Sequence, residues 1–254
     1  MSEYTDIRIH GAERKPGGRY GVVEISGSGK FDGSVECDSF RLSGAGEVEN
    51  GGLTVHGPLS CSGAGKIGGP VTADSLNASG ALTVKAEALV SGPVRVSGSI
   101  KVEGDLRADA LTVSGICTLE GSAAATGIEI SGILRTPGDV QAEVFRSTGC
   151  LEIGGLLNAE TVEIQLAGEN RVASIGGGTV RVVKRDVGFR FFRKRPSLNA
   201  TLIEADEITL EYTDAETVRG VNVHIGPECV IDRVEYSGSL TTDANCTVRE
   251  KVKV

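Results

Sequence analysis

The chain of 254 residues carries 34 acidic and 26 basic residues, which gives a formal net charge of -8. This balance argues against a protein that coats nucleic acid, because such binding depends mostly on neutralising phosphates. The 36 glycines are about twice the usual share, but they recur among valine, isoleucine and leucine, so disorder is not indicated. The sequence has no apolar run of about 18 residues and no export signal at its polar N-terminus, so we expect a soluble, cytoplasmic protein.

Residues 1–27 show a weak strand pattern. Residues 7–11 and residues 20–27 each alternate apolar and polar side chains and then end in glycine. Residues 11–19, Gly-Ala-Glu-Arg-Lys-Pro-Gly-Gly-Arg, are rich in turn-forming residues and are predicted to form a loop. We therefore expect N-terminal rows with one loop before the regular array begins.

Residues 28–183 contain a repeat that is marked by glycine. The corner glycines, Gly27 included, are Gly27, Gly44, Gly63, Gly80, Gly98, Gly115, Gly132, Gly149 and Gly168. Neighbouring corners are 17 to 19 residues apart. A second glycine marks an internal corner of most rows, at Gly33, Gly52, Gly69, Gly104, Gly121, Gly138 and Gly155. Because glycine adopts positive φ without a steric penalty, we predict that the corners use it for its backbone conformation.

Residues 99–115 show one row of the repeat most clearly. Apolar positions alternate with polar ones in three short runs, which predicts three strands. Two apolar columns recur from row to row: Val35, Val71, Leu106, Val140 and Leu157 in one, and Phe40, Leu76, Leu111, Phe145 and Val162 in the other. We therefore predict an all-β fold, a right-handed parallel β-helix (solenoid) with 17–19-residue rows. A left-handed helix built from strict hexapeptides is disfavoured, because the spacing breaks a six-residue register.

Residues 184–198 interrupt this pattern. They hold six basic residues, one acid and three phenylalanines in a chain that is otherwise acidic and poor in aromatics. Strand pattern returns over residues 199–254, with corners at Gly220 and Gly238. We therefore predict a basic and aromatic insertion loop within the array, and not a linker between domains.

This insertion is the candidate site of membrane contact. Clustered basic and aromatic residues bind an anionic leaflet, with each basic residue contributing about 1 kcal/mol. The candidate contact residues are Phe189, Arg190, Phe191, Phe192, Arg193, Lys194 and Arg195. The alternative is an exposed loop whose phenylalanines pack against the solenoid and whose charges are solvated. Binding of nucleic acid by the loop is disfavoured by the net charge of -8.

The cysteines indicate the redox compartment. They are Cys37, Cys61, Cys117, Cys150, Cys229 and Cys246. They form no CxxC pair, and no histidine is placed to complete a zinc set. All except Cys150 fall at apolar positions of the repeat, so five buried thiols are predicted, Cys246 among them. Such usage favours a reducing compartment.

One acidic column is the candidate for catalysis or calcium binding. Its members are Asp38, Asp74, Asp109, Glu143 and Glu160, with Thr126 as an interruption. We interpret these residues as corner residues that bond to local backbone. A carboxylate ladder for sugar hydrolysis or for calcium is the alternative.

Other motifs do not indicate catalysis. His10, His56 and His224 lie in separate rows at outward positions, without a residue at a triad-like interval. Gly27-Ser-Gly29 and Gly176-Gly-Gly178 precede strand-like runs, whereas a phosphate-binding loop opens a helix. We therefore predict no catalytic residue, no cofactor and no metal site.

The rows resemble those of the bactofilins, polymer-forming bacterial cytoskeletal proteins. The resemblance rests on residues 104–115, on Leu202-Ile-Glu-Ala-Asp-Glu-Ile-Thr-Leu-Glu-Tyr-Thr and on Val218-Arg-Gly-Val-Asn-Val-His-Ile-Gly-Pro-Glu-Cys, which are similar to the longer members in Gram-positive bacteria. It implies a right-handed β-helix that joins end to end into nucleotide-independent filaments, often at a membrane. It also implies a role in cell shape, in motility or in the localisation of wall-modifying enzymes.

The two ends of the predicted solenoid favour self-association. A β-helix ends in unpaired strand edges, which monomeric proteins usually cover or charge. Residues 4–9 and residues 241–254 show no capping-helix pattern, so the N-terminal edge is expected to be open. The C-terminal edge is partly guarded by Arg249, Glu250, Lys251 and Lys253. We therefore predict a non-enzymatic scaffold whose partners are itself, a paralogue and an anionic membrane surface; the alternative is a carbohydrate-active or acyl-transfer enzyme on a β-helix.

Overall fold

The described residues of the computed structural model, 4–185 and 195–254, form strands, turns and bends without a helix. They divide into two compact units, an N-terminal unit that ends at Ala125 and a C-terminal unit that begins at Thr126. In each unit parallel strands coil into a β-solenoid, and paired rows lie about 17 residues apart in the sequence. The predicted all-β solenoid class is therefore confirmed. Its right-handed sense stays a prediction from the general preference of parallel crossovers.

The described part of the N-terminal unit contains fifteen strands, most of them short. They are β1 (Ile7–Ile9), β2 (Ala12–Ile25), β3 (Ser28–Leu42), β4 (Ala45–Glu49), β5 (Leu53–Cys61), β6 (Ala64–Ile67), β7 (Val71–Ala78), β8 (Ala81–Val84), β9 (Ala88–Val90), β10 (Pro93–Val96), β11 (Ser99–Val102), β12 (Leu106–Arg107), β13 (Ala110–Val113), β14 (Ile116–Leu119) and β15 (Ala123–Ala124). Most corners in this unit therefore separate two distinct strands.

The described part of the C-terminal unit contains nine strands, and several of them run through a whole row. They are β16 (Gly127–Ile130), β17 (Ile133–Thr136), β18 (Val140–Ser147), β19 (Cys150–Leu166), β20 (Glu169–Lys184), β21 (Ser197–Leu210), β22 (Thr213–Ile225), β23 (Val230–Thr242) and β24 (Thr247–Lys253). Segments of 13 to 17 residues in β19 to β23 bend around corners as continuous strands, with one or two residues left out of the pairing at each corner.

The row at 99–115 has the three predicted strands. Strand β11 pairs with β8 and β14, strand β12 with β9 and β15, and strand β13 with β10. Since all of these pairings are parallel, each run extends one of three parallel stacks of strands. Ile100, Leu106 and Leu111 are buried at the centre, whereas Ala108 is only half-buried. The interior of the unit is thus built row by row.

Both predicted apolar columns are confirmed. All ten of their residues are buried, and none is more than 2% exposed. Register connects the rows directly: Leu53 pairs with both Val35 and Val71, and Leu59 pairs with both Phe40 and Leu76. At about 25 cal/mol per Å² of apolar surface, these stacked columns provide much of the favourable free energy of folding.

The corner glycines are needed for a reason other than the predicted one. Gly44, Gly63 and Gly80 do not have positive φ. Instead, a Cβ added to each would collide with the carbonyl oxygen of the corner glycine one row earlier. Among the second glycines, Gly33 alone of the described ones has positive φ, at 97°. Close stacking of rows, and not backbone conformation, therefore selects glycine at most of the corners.

Serine precedes glycine at these corners because the pair binds one carbonyl group. The backbone N–H groups of Ser43 and Gly44 both donate to the oxygen of Ile25, at 2.9 and 3.1 Å. The Ser43 hydroxyl donates to the same oxygen at 3.4 Å. Equivalent bonds recur in neighbouring rows, so the Ser-Gly repeat satisfies the backbone where the chain turns.

The predicted loop at 11–19 is wrong, because most of that segment lies in β2. Ala12–Pro16 pairs with Ser28–Asp32, and the register shifts between Pro16 and Gly18 before the pairing resumes. Strand β3 supplies hydrogen-bonding partners for this segment, and these outweigh the local preference of proline and glycine for turns.

The insertion is shorter than the predicted range 184–198, because Lys184 is the last residue of β20 and Ser197 is the first residue of β21.

Candidate interaction surfaces

The candidate membrane segment is described only at its C-terminal end. Phe189, Arg190, Phe191, Phe192, Arg193 and Lys194 lie outside the described residues. Arg195 is described and is exposed. We therefore define the base of the insertion by Lys184 and Arg195, which flank the undescribed part.

The base of the insertion is held on one tyrosine ring. The Lys184 ammonium lies 5.1 Å from the centroid of Tyr212, and the Arg195 guanidinium lies 5.4 Å from it. Arg195 also donates to the backbone oxygen of Glu228 at 2.6 Å and forms an ion pair with its carboxylate at 2.9 Å. Such cation–π contacts contribute about 0.5 to 1 kcal/mol each at exposed sites. Both ends of the insertion are thus anchored to the same corner of the C-terminal unit.

This corner carries backbone strain. Tyr212 and Glu228 have φ values of 50° and 61°, a region that non-glycine residues seldom adopt. Their backbone N–H groups donate to Pro227 and Asn245, which are corner residues of the following rows. The role of Tyr212 could not be found from sequence, because nothing in the local pattern indicates that its ring meets two cations.

The acidic column is interrupted by glycine. The Gly57 row lies between Asp38 and Asp74, and Gly92 accepts from Asp109 and donates to Asp74 through its backbone. Neighbouring rows are about 4.8 Å apart, so the aspartates are separated by about twice that distance. The three side chains are exposed. Glu143 and Glu160 lie in adjacent rows, so no more than two successive rows of the column carry a carboxylate, which favours the interpretation as corner residues over a continuous ladder.

The three histidines lie on the surface, as predicted. His10 bonds to the Ser26 hydroxyl and His224 to the Thr241 hydroxyl, each at 2.8 Å. His56 lies 2.8 Å from the Glu36 carboxylate. Each histidine thus bonds to a residue of a neighbouring row, and these contacts link rows.

The two glycine motifs lie in or beside strands, as predicted. Ser28 and Gly29 open β3, and residues 176–178 lie inside β20.

In the part of the chain that the structure describes, no group of three histidine, cysteine or acidic residues is placed to hold a metal ion. No helix among those residues is long and apolar enough to span a bilayer.

Four of the five predicted core cysteines are confirmed. Cys37, Cys61, Cys117 and Cys229 are buried, and burial raises their thiol pKa values to about 12, 11, 12 and 11 respectively. The prediction for Cys246 is wrong, because this thiol is only half-buried. It follows Cys229 one row later, where β24 supplies the last described strand, so little packs above it.

The N-terminal row places charged and aromatic side chains over the end of the core, while β1 and Ala12–Arg19 of β2 are paired on one side only among the described residues. Lys15 pairs in register with buried Phe31, and its ammonium lies 2.8 Å from the Glu13 carboxylate. The Tyr20 ring lies 5.8 Å from that of Phe31, and its hydroxyl donates to the Pro16 oxygen at 2.8 Å. An ion pair and an aromatic ring therefore occupy positions that hold apolar side chains in later rows.

The C-terminal row covers the core with lysine. Lys251 pairs in register with buried Val234, and its ammonium reaches the Thr242 hydroxyl at 3.5 Å. Lys253 pairs in register with Tyr236 and lies 5.9 Å from the centroid of that ring. On its other side β24 has no strand partner among the described residues. This row therefore presents an unpaired strand edge together with two ammonium groups.

One outer face of the N-terminal unit carries a charge ladder. Lys30 binds Glu47 at 2.7 Å, Lys66 binds the same carboxylate at 2.6 Å, and Arg14 binds Glu49 at 2.5 Å. Further along the face Lys101 binds Glu120 at 2.7 Å. Hydrogen bonds from Lys30 and Lys66 hold the pKa of Glu47 at about 2. Alternating charges across rows thus mark this face as solvated surface.

An open groove of about 530 Å³ lies among the described residues of the C-terminal unit. Arg171, Asp214, Glu216, Val230 and Asp232 line part of it. Asp232 forms an ion pair with Arg249 at 2.7 Å, and Arg171 forms one with Glu169 at 2.6 Å. Two of its charged groups are therefore engaged with neighbours outside the groove.

Similar proteins are known in Bacillus subtilis strain 168. The chain is 44% identical to the uncharacterized protein YhbE over 106 residues, which are 41% of this chain and 45% of YhbE. It is 41% identical to the uncharacterized protein YhbF over 101 residues, which are 39% of this chain and 42% of YhbF. The matches thus span less than half the length of these relatives. No protein-family model matches the chain. No solved structure matches it either.

Proposed function

We propose that the chain is a non-enzymatic structural protein that self-assembles end to end, through its terminal rows, into filaments without nucleotide. The observation that carries this proposal is β24, which is paired on one side only among the described residues. Its free backbone N–H and C=O groups can pair with a strand of another copy. The rule that stacks rows within the chain would then also stack rows between chains.

The chemistry of the surface supports a scaffold. The acidic column is broken by glycine rows, and the histidines bond to residues of neighbouring rows. The exposed ion pairs of the charge ladder, such as that of Lys30 with Glu47, contribute little individually and are typical of solvated faces. The resemblance to bactofilins points in the same direction, and it suggests a cytoplasmic filament that supports cell shape or motility.

Electron microscopy of the purified chain over a concentration series tests the proposal. We expect filaments at physiological salt, with the same abundance whether or not nucleotide is added. Monodisperse particles at every concentration would contradict it. Turnover of a polysaccharide or acyl donor that is lost in the Asp74→Asn and Asp109→Asn variants would favour the enzymatic alternative instead.

Cys246 provides a probe of which row takes part. In a Cys150→Ser variant, it is the one thiol of the described residues that is not buried. If a second copy covers the C-terminal row, labelling of Cys246 by a maleimide slows as concentration rises into the assembly range. Assembly with an unchanged labelling rate would show that this row stays outside the contact.

We also propose that the insertion lets the assembly bind the inner face of an anionic membrane. Lys184 and Arg195 meet on the Tyr212 ring, so both ends of the basic segment leave from one place on the unit. Such clustering concentrates positive charge within a Debye length of a bilayer, about 8 Å at physiological salt.

Vesicle sedimentation tests membrane binding. We expect the chain to pellet with vesicles that contain phosphatidylserine and not with neutral phosphatidylcholine vesicles. Arg193→Glu, Lys194→Glu and Arg195→Glu together should abolish pelleting. The control variant, Arg95→Glu with Arg107→Glu and Arg181→Glu, changes charge equally elsewhere and should still pellet. Equal loss in both variants would contradict a specific role of the insertion.

A further inference from the structure

In the C-terminal row, lysine side chains take the last positions of two columns that point inward in the earlier rows. Ile203, Val218 and Val234 are stacked in register and buried, and Lys251 takes the next position in the same column. Gly220, Tyr236 and Lys253 form the parallel column beside it. An apolar side chain at either position would continue the stack, so the lysines occupy sites where a docking copy would bury them.

These two ammonium groups differ from the other charges of β24. Arg249 lies 2.7 Å from the Asp232 carboxylate, and Glu250 lies 3.2 Å from Arg233. Within the described ranges, 4–185 and 195–254, Lys251 and Lys253 have no carboxylate within ion-pair distance. Lys251 contacts a hydroxyl group, and Lys253 lies near an aromatic ring. Their positive charges are therefore not balanced locally.

The N-terminal row is different, since its charges are balanced. Lys15 is paired with Glu13, Arg14 with Glu49, and Arg19 with Glu36 at 3.1 Å. Burial of an unpaired charge costs far more than burial of a paired one. Docking of a second copy is therefore opposed mainly at the C-terminal row.

We propose that end-to-end association of this chain is electrostatically gated where two C-terminal rows meet, because Lys251 and Lys253 of one copy repel the same lysines of a second copy until salt screens them. This inference rests on the proposed function and names the regulation of the same contact. Rows stack about 4.8 Å apart, well inside the Debye length at low salt. Screening of the lysines lowers the barrier, whereas the paired charges of the N-terminal row contribute little to it.

Sedimentation velocity and electron microscopy at about 10 mM and about 150 mM NaCl test the gate, because the Debye length falls from about 30 to about 8 Å over this range. For the wild-type chain we expect the concentration needed for assembly to fall roughly tenfold with added salt. Lys251→Gln with Lys253→Gln should assemble at low salt as the wild type does at high salt.

A matched variant separates the local effect from net charge. Arg95→Gln with Arg181→Gln removes the same two charges from exposed positions outside the terminal rows. Because the chain has a net charge of -8, this change makes self-repulsion slightly stronger and should raise the concentration needed at low salt. The lysine variant should lower it. If the concentration needed for assembly at low salt shifts in the same direction in both variants, the proposed gate is wrong.

Two further outcomes are distinguishable. Assembly that is insensitive to salt in the wild type and in both variants would overturn the gate and leave the proposed function intact. Absence of assembly in every variant at both salt concentrations would overturn the gate and the proposed function together. Thermal unfolding by circular dichroism checks that each variant is folded, so a lack of assembly is not a folding defect.

Discussion

The two units turn some of their corners by different means. In the N-terminal unit the corners are stacked Ser-Gly pairs, where a Cβ on glycine would collide with the row before. In the C-terminal unit several corners instead use buried polar side chains: Thr136, Ser147, Asn170 and Thr213 are at most 4% exposed. Asn170 accepts from the Leu151 N–H group at 2.9 Å and donates to the Gly168 oxygen at 3.0 Å.

This difference teaches that one fold can satisfy its corner backbone in two ways. Glycine lets rows approach closely, so that the backbone bonds to the backbone of the next row. A buried amide or hydroxyl group does the same task from a side chain, and it must then be fully paired. The long strands β19 to β23 lie where the glycine corners become sparse, which is consistent with the second means.

Thiol reactivity should show the largest contrast between the units. All three cysteines of the N-terminal unit are buried, and their raised pKa values leave almost no thiolate at pH 8. Cys150 and Cys246 of the C-terminal unit are half-buried and should react with Ellman's reagent at least about a hundredfold faster. A Cys150→Ser, Cys246→Ser variant should therefore be nearly inert until urea is added. Rapid reaction of that variant in its native state would contradict the burial of the core thiols.

A methyl group at a glycine corner should destabilise the N-terminal unit strongly. The Cβ of Gly63→Ala would overlap the Gly44 oxygen, and backbone cannot move aside as a flexible side chain can. We expect a loss of about 3 kcal/mol in the free energy of unfolding, measured by urea denaturation. Gly11→Ala is the control, since a Cβ there meets nothing within 4 Å. Similar losses in both variants would argue against close stacking as the cause.

Removal of a buried polar corner should cost somewhat less. Asn170→Leu keeps an apolar column, since Leu151 and Leu198 lie in the neighbouring rows, but it leaves the Leu151 N–H group without its acceptor. We expect a loss of about 2 kcal/mol in urea denaturation. Asn158→Leu, an exposed position of β19, should change stability by less than about 0.5 kcal/mol. A neutral Asn170→Leu would show that the amide bond is dispensable.

The charge ladder of the N-terminal unit should have the smallest effect. Hydrogen bonds from Lys30 and Lys66 lower the pKa of Glu47 to about 2, so its contribution is complete above its ordinary pKa range and is lost as pH falls towards 2. Because the site is largely exposed, we expect the ion pairs of Glu47 to contribute only about 0.5 kcal/mol to the free energy of unfolding. Thermal melts of Glu47→Gln should thus converge with those of the wild type as pH falls. Glu87→Gln, at an exposed glutamate, should follow the wild type at every pH.

Part of the candidate interaction surface could be read from the sequence. The composition of residues 184–198 marked the insertion, and the phase of the repeat placed the histidines outward. The contact of Lys184 and Arg195 with Tyr212 could not be read, because it joins residues from three different rows. The inward position of Lys251 depends likewise on register, since only pairing with Val234 shows that a core column ends there.

The sequence by itself determined the repeat, the strand phase and the apolar columns, because these depend on local alternation of side chains and on a nearly constant period. The tertiary structure decided what lies between the rows. Stacking required the corner glycines for their lack of a Cβ, turned residues 11–19 into a strand and left Cys246 at a thinly covered end. Each of these outcomes depends on what the neighbouring row places within a few ångströms, which no single row of sequence contains.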